Sequence, residues 1–313
     1  MTGIDPFTPK NPLRIGTRRS PLALAQAHLA AAAILAAHNL PDSAIQLVPM
    51  LSSGDKNQDQ PLAEIGGKAL WTKELERALL DGEIDMAVHS MKDVETVRAD
   101  IFRIAAMLPR ADVRDRLIGA PSIAALPSGA NIGTSSPRRA AQLRAMRPDL
   151  NTKPIRGNVA TRLTQIDSGA FDATLLAAAG LDRLALRHVG AIIETSDMLP
   201  AASQGAIGLE ASAHRPDILR LLAAVNHAPT YDCVMAERAF LAALGGSCHS
   251  PVAALAVIDG DEIWLRGEIL SEDGSERQNG DIRFCVAHKD APAKLAARLL
   301  AHSSPALSAL FTQ

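Results

Sequence analysis

The sequence predicts an α/β protein made of two related α/β halves, with a smaller α+β domain at its C-terminal end. Three observations carry that reading. Strand-like apolar segments alternate with Ala/Leu-rich helical ones through most of the 313 residues. A phrase recurs: IGTRRSP at 15–21 returns as IGTSSPRR at 132–139, each time between a strand-like and a helical segment. Beyond residue 250 the pattern changes to strands separated by the turn signals Asp259-Gly260 and Asp273-Gly274, as in an antiparallel sheet.

Each element has a local reason. Residues 13–17 (LRIGT) read as a strand, and Ser20-Pro21 opens a helix: serine is a good N-cap and proline suits the first helical position. The helix runs to about Ala37, where Asn39 and Pro41 stop it. Residues 44–51 read as a strand, and 52–67 as a polar, glycine-containing loop expected to act as a lid. Residues 70–80 carry Trp71, Leu75, Ala78 and Leu79 at helical spacing, and strands follow at 84–89 and 101–108. The second half repeats the scheme. Residues 130–134 form a strand, and Ser136-Pro137 opens a helix to Met146. A strand near 152–156, a helix at 159–168 and a strand at 173–178 come next. A helix at 232–244 leads through GGSCHSP (245–251) to strands at 252–258, 262–270 and 281–287 and a last helix at 291–302. The alternation predicts parallel sheets in both halves.

Composition narrows the function. Hydrophobic residues make up 47%, charged residues 21%, and the net charge is −2, so any basic site is local and no general affinity for nucleic acid is expected. The cysteines Cys233, Cys248 and Cys285 form no CxxC pair, and an odd count fits no disulfide framework; the reading is a reducing cytoplasm. Cys233 and Cys285 lie in apolar patterns and read as core. No apolar run is read as a membrane span, and MTGIDPFTPKN lacks the apolar core of a signal peptide. Residues 1–12 are read as a leader outside the fold.

The repeated phrase suits an anion. A strand that turns into a helix presents free backbone N–H groups and the positive end of the helix dipole. In both copies hydroxyls (Thr17, Ser20; Thr134, Ser135, Ser136) and arginines (Arg18, Arg19; Arg138, Arg139) gather at that point. Simple helix capping with solvated arginines is the alternative for either copy alone; the repetition favours one anion cradle per half, facing each other across a cleft. Arg144, Arg147, Lys153, Arg156 and Arg162 extend the basic set after the second copy, with Asp149 the only acid among them. There is no GxxxxGK[ST] or GxGxxG, and aromatic residues for base stacking are missing here, so a small polycarboxylate fits better than a nucleotide or nucleic acid.

Two further residues stand out. AVHSMKDV (87–94) places His89, Ser90, Lys92 and Asp93 just after a buried strand, where open α/β sheets bind ligands. Asp93 suits proton handling or stabilisation of a cation; a turn aspartate paired with Lys92 is the alternative. His89 reads as a packed strand residue. Cys248 sits in a small-residue loop that leaves its sulfur accessible. His249 beside it lacks a second ligand pair at metal spacing, so no metal site is read.

Taken together, the segments resemble the porphobilinogen deaminase, or hydroxymethylbilane synthase, family. The resemblance runs from residue 13 to about 300 through RIGTRRSPLALAQA, GGKALWTKELE, DMAVHSMKD, IGTSSPRRAAQL, IRGNVATRL, AAAGLDRL, LPAASQGAIGLE and ERAFLAALGGSCHSP, and is looser in the C-terminal domain. It implies three domains: 13–107 with about 205–224, then 108–204, then 225–313. The first two would share the topology of periplasmic binding proteins, with chain crossovers between them.

The implied activity is a transferase of tetrapyrrole (haem) biosynthesis. Four porphobilinogen molecules are joined head to tail into the linear hydroxymethylbilane, and four ammonia molecules leave. The growing chain is held on a dipyrromethane cofactor, made from two porphobilinogens and attached through a thioether to the cysteine that Cys248 matches. Asp93 matches the catalytic aspartate. Arg138, Arg139, Lys92, Ser90, Thr134, Ser135, Ser136 and Arg162 match cofactor-binding positions, and Arg18, Ser20, Arg156, Arg183, Gln204 and Lys68 match substrate-binding ones. The resemblance further implies a monomer with a small-molecule substrate and no nucleic-acid or membrane partner. Two other readings share parts of the pattern. A solute-binding protein for a small polycarboxylate would share the halves and the arginines but has no use for Cys248. A DNA-binding regulator would need a recognition helix, and none is read before residue 13.

Overall fold

The computed structural model describes residues 7–51, 72–246 and 250–311. The expected lid at 52–67, with Lys68, Trp71 and Cys248, lies outside the described residues. The chain divides into two units, residues 1–110 with 206–231, and residues 111–205 with 232–313.

The first unit holds β1 (Leu13–Arg18), α1 (Pro21–His38), β2 (Ile45–Met50), α2 (Lys73–Leu80), β3 (Met86–Ser90) and β4 (Phe102–Met107). Its sheet has the order β2-β1-β3-β10-β4, where β10 (Ile207–Ser212) is contributed by the returning chain. β1 pairs parallel with β2 and β3, while β10 runs antiparallel to both β3 and β4. Helix α6 (Pro216–Ala223) closes this unit's core with Ile218, Leu221 and Leu222. Helix α1 is 18 residues long with a mean hydropathy of 1.4, enough by length and composition to cross a membrane, contrary to the reading of the sequence. It serves here as a core helix: Ala30, Ala31 and Ile34 pack against Leu13, Ile15 and Met86. Asn39 ends it in the left-handed region at φ 51°. Residues 7–12 are not outside the fold. Thr8 and Asn11 form an antiparallel bridge, and Phe7 packs against the same core.

The second unit repeats the plan. It holds β5 (Asp115–Ile118), β6 (Asn131–Gly133), α3 (Pro137–Met146), β7 (Asn151–Lys153), α4 (Val159–Asp167), β8 (Ala173–Ala177), α5 (Ala178–Arg183) and β9 (Ala191–Ile193). The sheet order is β7-β6-β8-β5-β9, with β6 parallel to β7 and β8, and β5 antiparallel to β8 and β9. The two sheets therefore match strand for strand. Both are mixed rather than parallel, because one reversed strand is inserted between β3 and β4 in one unit and between β8 and β9 in the other.

Helix α7 (Ala228–Ala243) leads into a third sheet of β11 (Val252–Asp259), β12 (Glu262–Leu270) and β13 (Arg277–Phe284), antiparallel throughout, backed by α8 (Ala291–Ala301) and followed by α9 (Pro305–Ala309). Phe240 of α7 fills its core against Gly267: a Cβ there would come within 2.5 Å of the ring, so the strand needs glycine for this close approach. Strand β13 sits four residues earlier than the spacing predicts at its start, since β12 pairs with it along its whole length from the Asp273-Gly274 turn. Cys285 consequently falls just past the strand and is exposed, whereas Cys233 is buried as expected.

Candidate functional site

Both copies of the repeated phrase form the expected strand–cap–helix element. Ser20 caps α1 by accepting from the Ala23 N–H at 3.3 Å, and Ser136 caps α3 by accepting from the Arg139 N–H at 3.4 Å. A proline occupies the first turn of each helix. The second element is further tied by Ser135, whose hydroxyl donates to the Ile155 carbonyl at 2.6 Å and accepts from the Ile155 N–H at 3.1 Å.

In the first unit the carboxyl ends of β1 and β3 meet around a cavity of about 60 Å³. Arg18, Ser20, Gln26, His89, Ser90 and Asp93 line it. The structure thus brings together four of the candidate site residues, Arg18, Ser20, Ser90 and Asp93. Asp93 is exposed, at the end of a 3₁₀ turn that follows β3 and also carries the half-buried Lys92. Gln26, from the α1 face above, donates to the Ser90 hydroxyl at 2.7 Å.

Beneath the cavity lies an ionic network that the sequence reading missed. His89, 6% exposed, donates from Nε2 to Oε2 of the fully buried Glu210 at 2.9 Å. Arg98 donates to the other Glu210 oxygen from Nε and Nη2 at 2.9 and 2.6 Å, and to Glu76 from Nη1 at 2.7 Å. Burial works against ionisation of Glu210, but the hydrogen bonds from His89 and Arg98 and the Arg98 charge hold its carboxyl below the usual range. His89 is therefore a packed, bonded residue, as expected.

In the second unit the arginines are neither solvated nor free. Arg138 and Arg139 are 3% and 6% exposed, and both bind Asp115 at the start of β5. Arg138 Nη2 donates to Oδ2 at 2.8 Å, and Arg139 Nη2 to Oδ1 at 2.6 Å with its Nε reaching Oδ2 at 3.3 Å. Gln204, read as a substrate residue, is itself fully buried and donates to Asp115 Oδ1 at 2.9 Å and to the Val113 carbonyl at 2.7 Å. Burial alone would raise the Asp115 pKa; the two arginine charges and their hydrogen bonds hold it well below the usual carboxylate range. Arg138 Nη1 also donates to Gln142 at 3.0 Å, and Gln142 donates to the buried Glu268 of β12 at 2.7 Å. Neither Asp115 nor Glu268 was singled out in the sequence.

The remaining candidates sit around this core. Thr134 is buried and its Oγ1 accepts from the Ser136 N–H at 3.2 Å. Arg156 and Arg162 are half-buried on either side of the glycine turn at Gly157, whose φ is 100°, and Arg162 Nε donates to the Gly157 carbonyl at 3.0 Å. Arg183 donates from Nη2 to the Gly205 carbonyl at 2.7 Å, and burial pulls its pKa down to about 10. Its neighbour Asp182 is bonded instead by Arg116 at 3.0 Å. Among the described residues no group of three or more His, Cys, Asp and Glu side chains could hold a metal ion.

The residues present fit a polycarboxylate group such as dipyrromethane. The Arg138–Arg139–Asp115 cluster carries one excess positive charge, and Arg138 Nε is buried with no hydrogen-bond partner among the described residues. Arg183 is a partly desolvated cation whose hydrogen bond goes to a carbonyl. Both observations suit an additional acceptor such as a ligand carboxylate.

Comparison with known proteins agrees in kind. Residues 13–220 match the family model described as porphobilinogen deaminase, dipyromethane cofactor binding domain, and residues 231–301 match the porphobilinogen deaminase C-terminal domain. A porphobilinogen deaminase from Sphingopyxis alaskensis is 56% identical over 310 residues, covering 97% of this chain and 98% of the relative. Another, from Paracoccus denitrificans, is 51% identical over 271 residues, 86% of this chain and 87% of the relative. Among solved structures, the periplasmic VFT2 domain of Bordetella pertussis BvgS aligns with a TM-score of 0.39 at 13% identity, over 68% of this chain and 86% of that one. A TRAP periplasmic solute-binding protein from Desulfovibrio salexigens aligns with a TM-score of 0.41 at 9% identity, over 68% of this chain and 71% of that one.

Proposed function

The chain belongs to the porphobilinogen deaminase family, and on that premise we propose how its own residues serve the reaction. The enzyme is a transferase of tetrapyrrole biosynthesis that takes porphobilinogen, a small molecule, as substrate and carries the dipyrromethane cofactor-binding domain. Family membership sets aside the solute-binding alternative. When bound, the cofactor supplies the covalently held pyrrole to which substrate units are added; Cys248, outside the described residues, is the attachment point in this reading.

Asp93 carries the chemistry. Loss of ammonia from porphobilinogen leaves a cation on the substrate, and a carboxylate fixed at the end of a short turn stabilises it without reorganisation. The same oxygens suit protonation of the leaving amine and collection of the proton released when the new bond forms. Arg18, Ser20, Ser90 and Lys92 bind substrate or cofactor carboxylates around the first cavity. In the second unit Arg138, Arg139, Thr134, Ser135, Ser136 and Arg162 hold the cofactor, and Arg156, Arg183 and Gln204, with Lys68 from outside the described residues, serve the substrate. Each pyrrole carries two carboxylates, so a chain that grows by pyrroles accumulates negative charge and needs a spread of arginines to receive it.

The observation that carries this reading is Asp93 in one cavity with Arg18, Ser20 and Ser90. The test is the intact mass of the parent beside Cys248→Ala after incubation with porphobilinogen. An increment of two linked pyrroles on the parent alone is expected; an unmodified parent would sink the assignment of Cys248. We further read the protein as a cytoplasmic monomer without nucleic-acid or membrane partners; the exposed Cys285, outside any disulfide, suits a reducing compartment. Light scattering at the monomer mass of 33.0 kDa would bear out the first point, and twice that mass would refute it.

A further inference from the structure

Asp115 has a role beyond closing a strand end. Arg138 and Arg139 occupy the first turn of α3, where the helix dipole already places positive charge, and both are buried. Two adjacent cations in that position repel each other, lose their hydration, and oppose the dipole. One carboxylate answers all three problems. Its two oxygens receive four donors: Arg138 Nη2, Arg139 Nη2, Arg139 Nε and Gln204 Nε2. That fills the acceptor capacity of a carboxylate, so Asp115 has nothing left for a ligand. The arginines are not filled in the same way. Arg138 keeps a buried Nε without a partner among the described residues, and the trio retains one positive charge.

Asp115 comes from β5, the strand inserted in reverse direction, and not from the repeated strand–helix element. The matching strand in the first unit, β10, has Ile207 where β5 has Asp115: Ile207 pairs with Ser90 at the end of β3, as Asp115 pairs with Ala177 at the end of β8. The counter-ion is therefore particular to the second copy.

We propose that Asp115 is a positioning residue for the cofactor: it holds the Arg138 and Arg139 guanidiniums in fixed orientation and reduces their joint charge to a single excess cation, which a ligand carboxylate neutralises. The inference rests on the reading that Cys248 carries the dipyrromethane group and that the arginine pair receives it. A carboxylate bound at Arg138 completes charge balance in a buried site; without Asp115 the pair would hold two positive charges in shifting geometry.

The test is cofactor loading, read by intact mass on the folded fraction isolated by size-exclusion chromatography, after incubation with porphobilinogen. Asp115→Asn, which keeps the shape and removes the charge, is expected to load at least 10-fold more slowly than the parent. Asp115→Ala leaves a carboxylate-sized gap. Its loading should recover severalfold in formate but not in chloride at equal ionic strength, a response that a purely structural role would not give. Parent-level loading of folded Asp115→Asn, or equal loading of Asp115→Ala in the two salts, would overturn the proposal. If neither variant folds, Asp115→Glu decides, since it keeps the charge but moves it by one methylene: slowed loading supports positioning and parent-level loading refutes it. The parent and Cys248→Ala run alongside. An unmodified parent removes the premise, whereas a loaded parent with equally loaded Asp115→Asn removes only the role of Asp115.

Discussion

The two copies of the repeated element share strand, cap and helix, yet they put their arginines to different use. In the first copy Arg18, at the end of β1, and Arg19, on the turn, precede the cap Ser20 and stand half-buried and exposed. In the second, Arg138 and Arg139 follow the cap Ser136, inside the first helical turn, and point into the sheet. A shift of a few positions across the cap turns a surface pair into a buried one. The buried pair then requires a counter-ion, and β5 supplies Asp115. The glutamine six residues after each cap shows the same divergence. Gln26 bonds only Ser90 among the hydrogen bonds described for it, whereas Gln142 bridges Arg138 to Glu268. The first unit thus keeps an open cavity with an exposed acid, and the second keeps a preset, charged lattice.

The largest expected effect tests the open side of this contrast. Asp93→Asn should lower turnover of porphobilinogen by about 100-fold or more, the usual scale for a positioned acid–base group. Because Asp93 is exposed, the melting temperature should stay within a degree or two of the parent's, a shift of about 0.5 kcal/mol or less. A variant that unfolds with the same loss would mean that Asp93 is structural.

The next pair sets the copies against each other. Arg139→Met leaves Asp115 short of a partner inside the protein and should cost about 3–5 kcal/mol in urea unfolding. Arg19→Met, at an exposed turn, should stay within about 0.5 kcal/mol. Equal costs would break the comparison.

Acid sharpens it further. The folded-state pKa of Asp115 is depressed, so its ionised form adds stability that is complete above the unfolded value of about 3.9 and is lost as pH falls through the folded value. The stability gap between the parent and Asp115→Asn should therefore be constant from neutral pH down to about 5 and shrink steadily below about 4. A gap that narrows on raising the pH instead would contradict the ion pair.

The smallest effect tests what the copies share. Ser20→Ala and Ser136→Ala each remove one helix N-cap acceptor and should each cost about 1 kcal/mol. A loss at only one of them would show that the local elements are not equivalent.

Local signals in the sequence were enough for the repeated elements. The Ser-Pro caps, the Asn39 stop and the glycine turns state their conformations within a few residues, so β1, α1, β6, α3 and the hairpin of β11 and β12 fall close to where the spacing predicts. The exposed Asp93, beyond a buried strand, was legible for the same reason. The family resemblance added residues that no spacing reveals, such as Arg183 and Gln204.

What the sequence could not display is the pair of reversed strands. IGLEAS and DRLI are buried at every position, yet each contains charged residues, Glu210 in one and Asp115 with Arg116 in the other. A charge inside a short segment erases the apolar pattern by which a buried strand is recognised. Those charges are tolerable only because distant partners meet them: His89 and Arg98 for Glu210, Arg138, Arg139 and Gln204 for Asp115, Asp182 for Arg116. The sequence by itself therefore determined the strands, caps and helices whose reasons lie between near neighbours. Tertiary structure alone decided which arginines are buried and which carboxylates face them, because the free energy of a buried charge depends on a partner that the chain brings from far away.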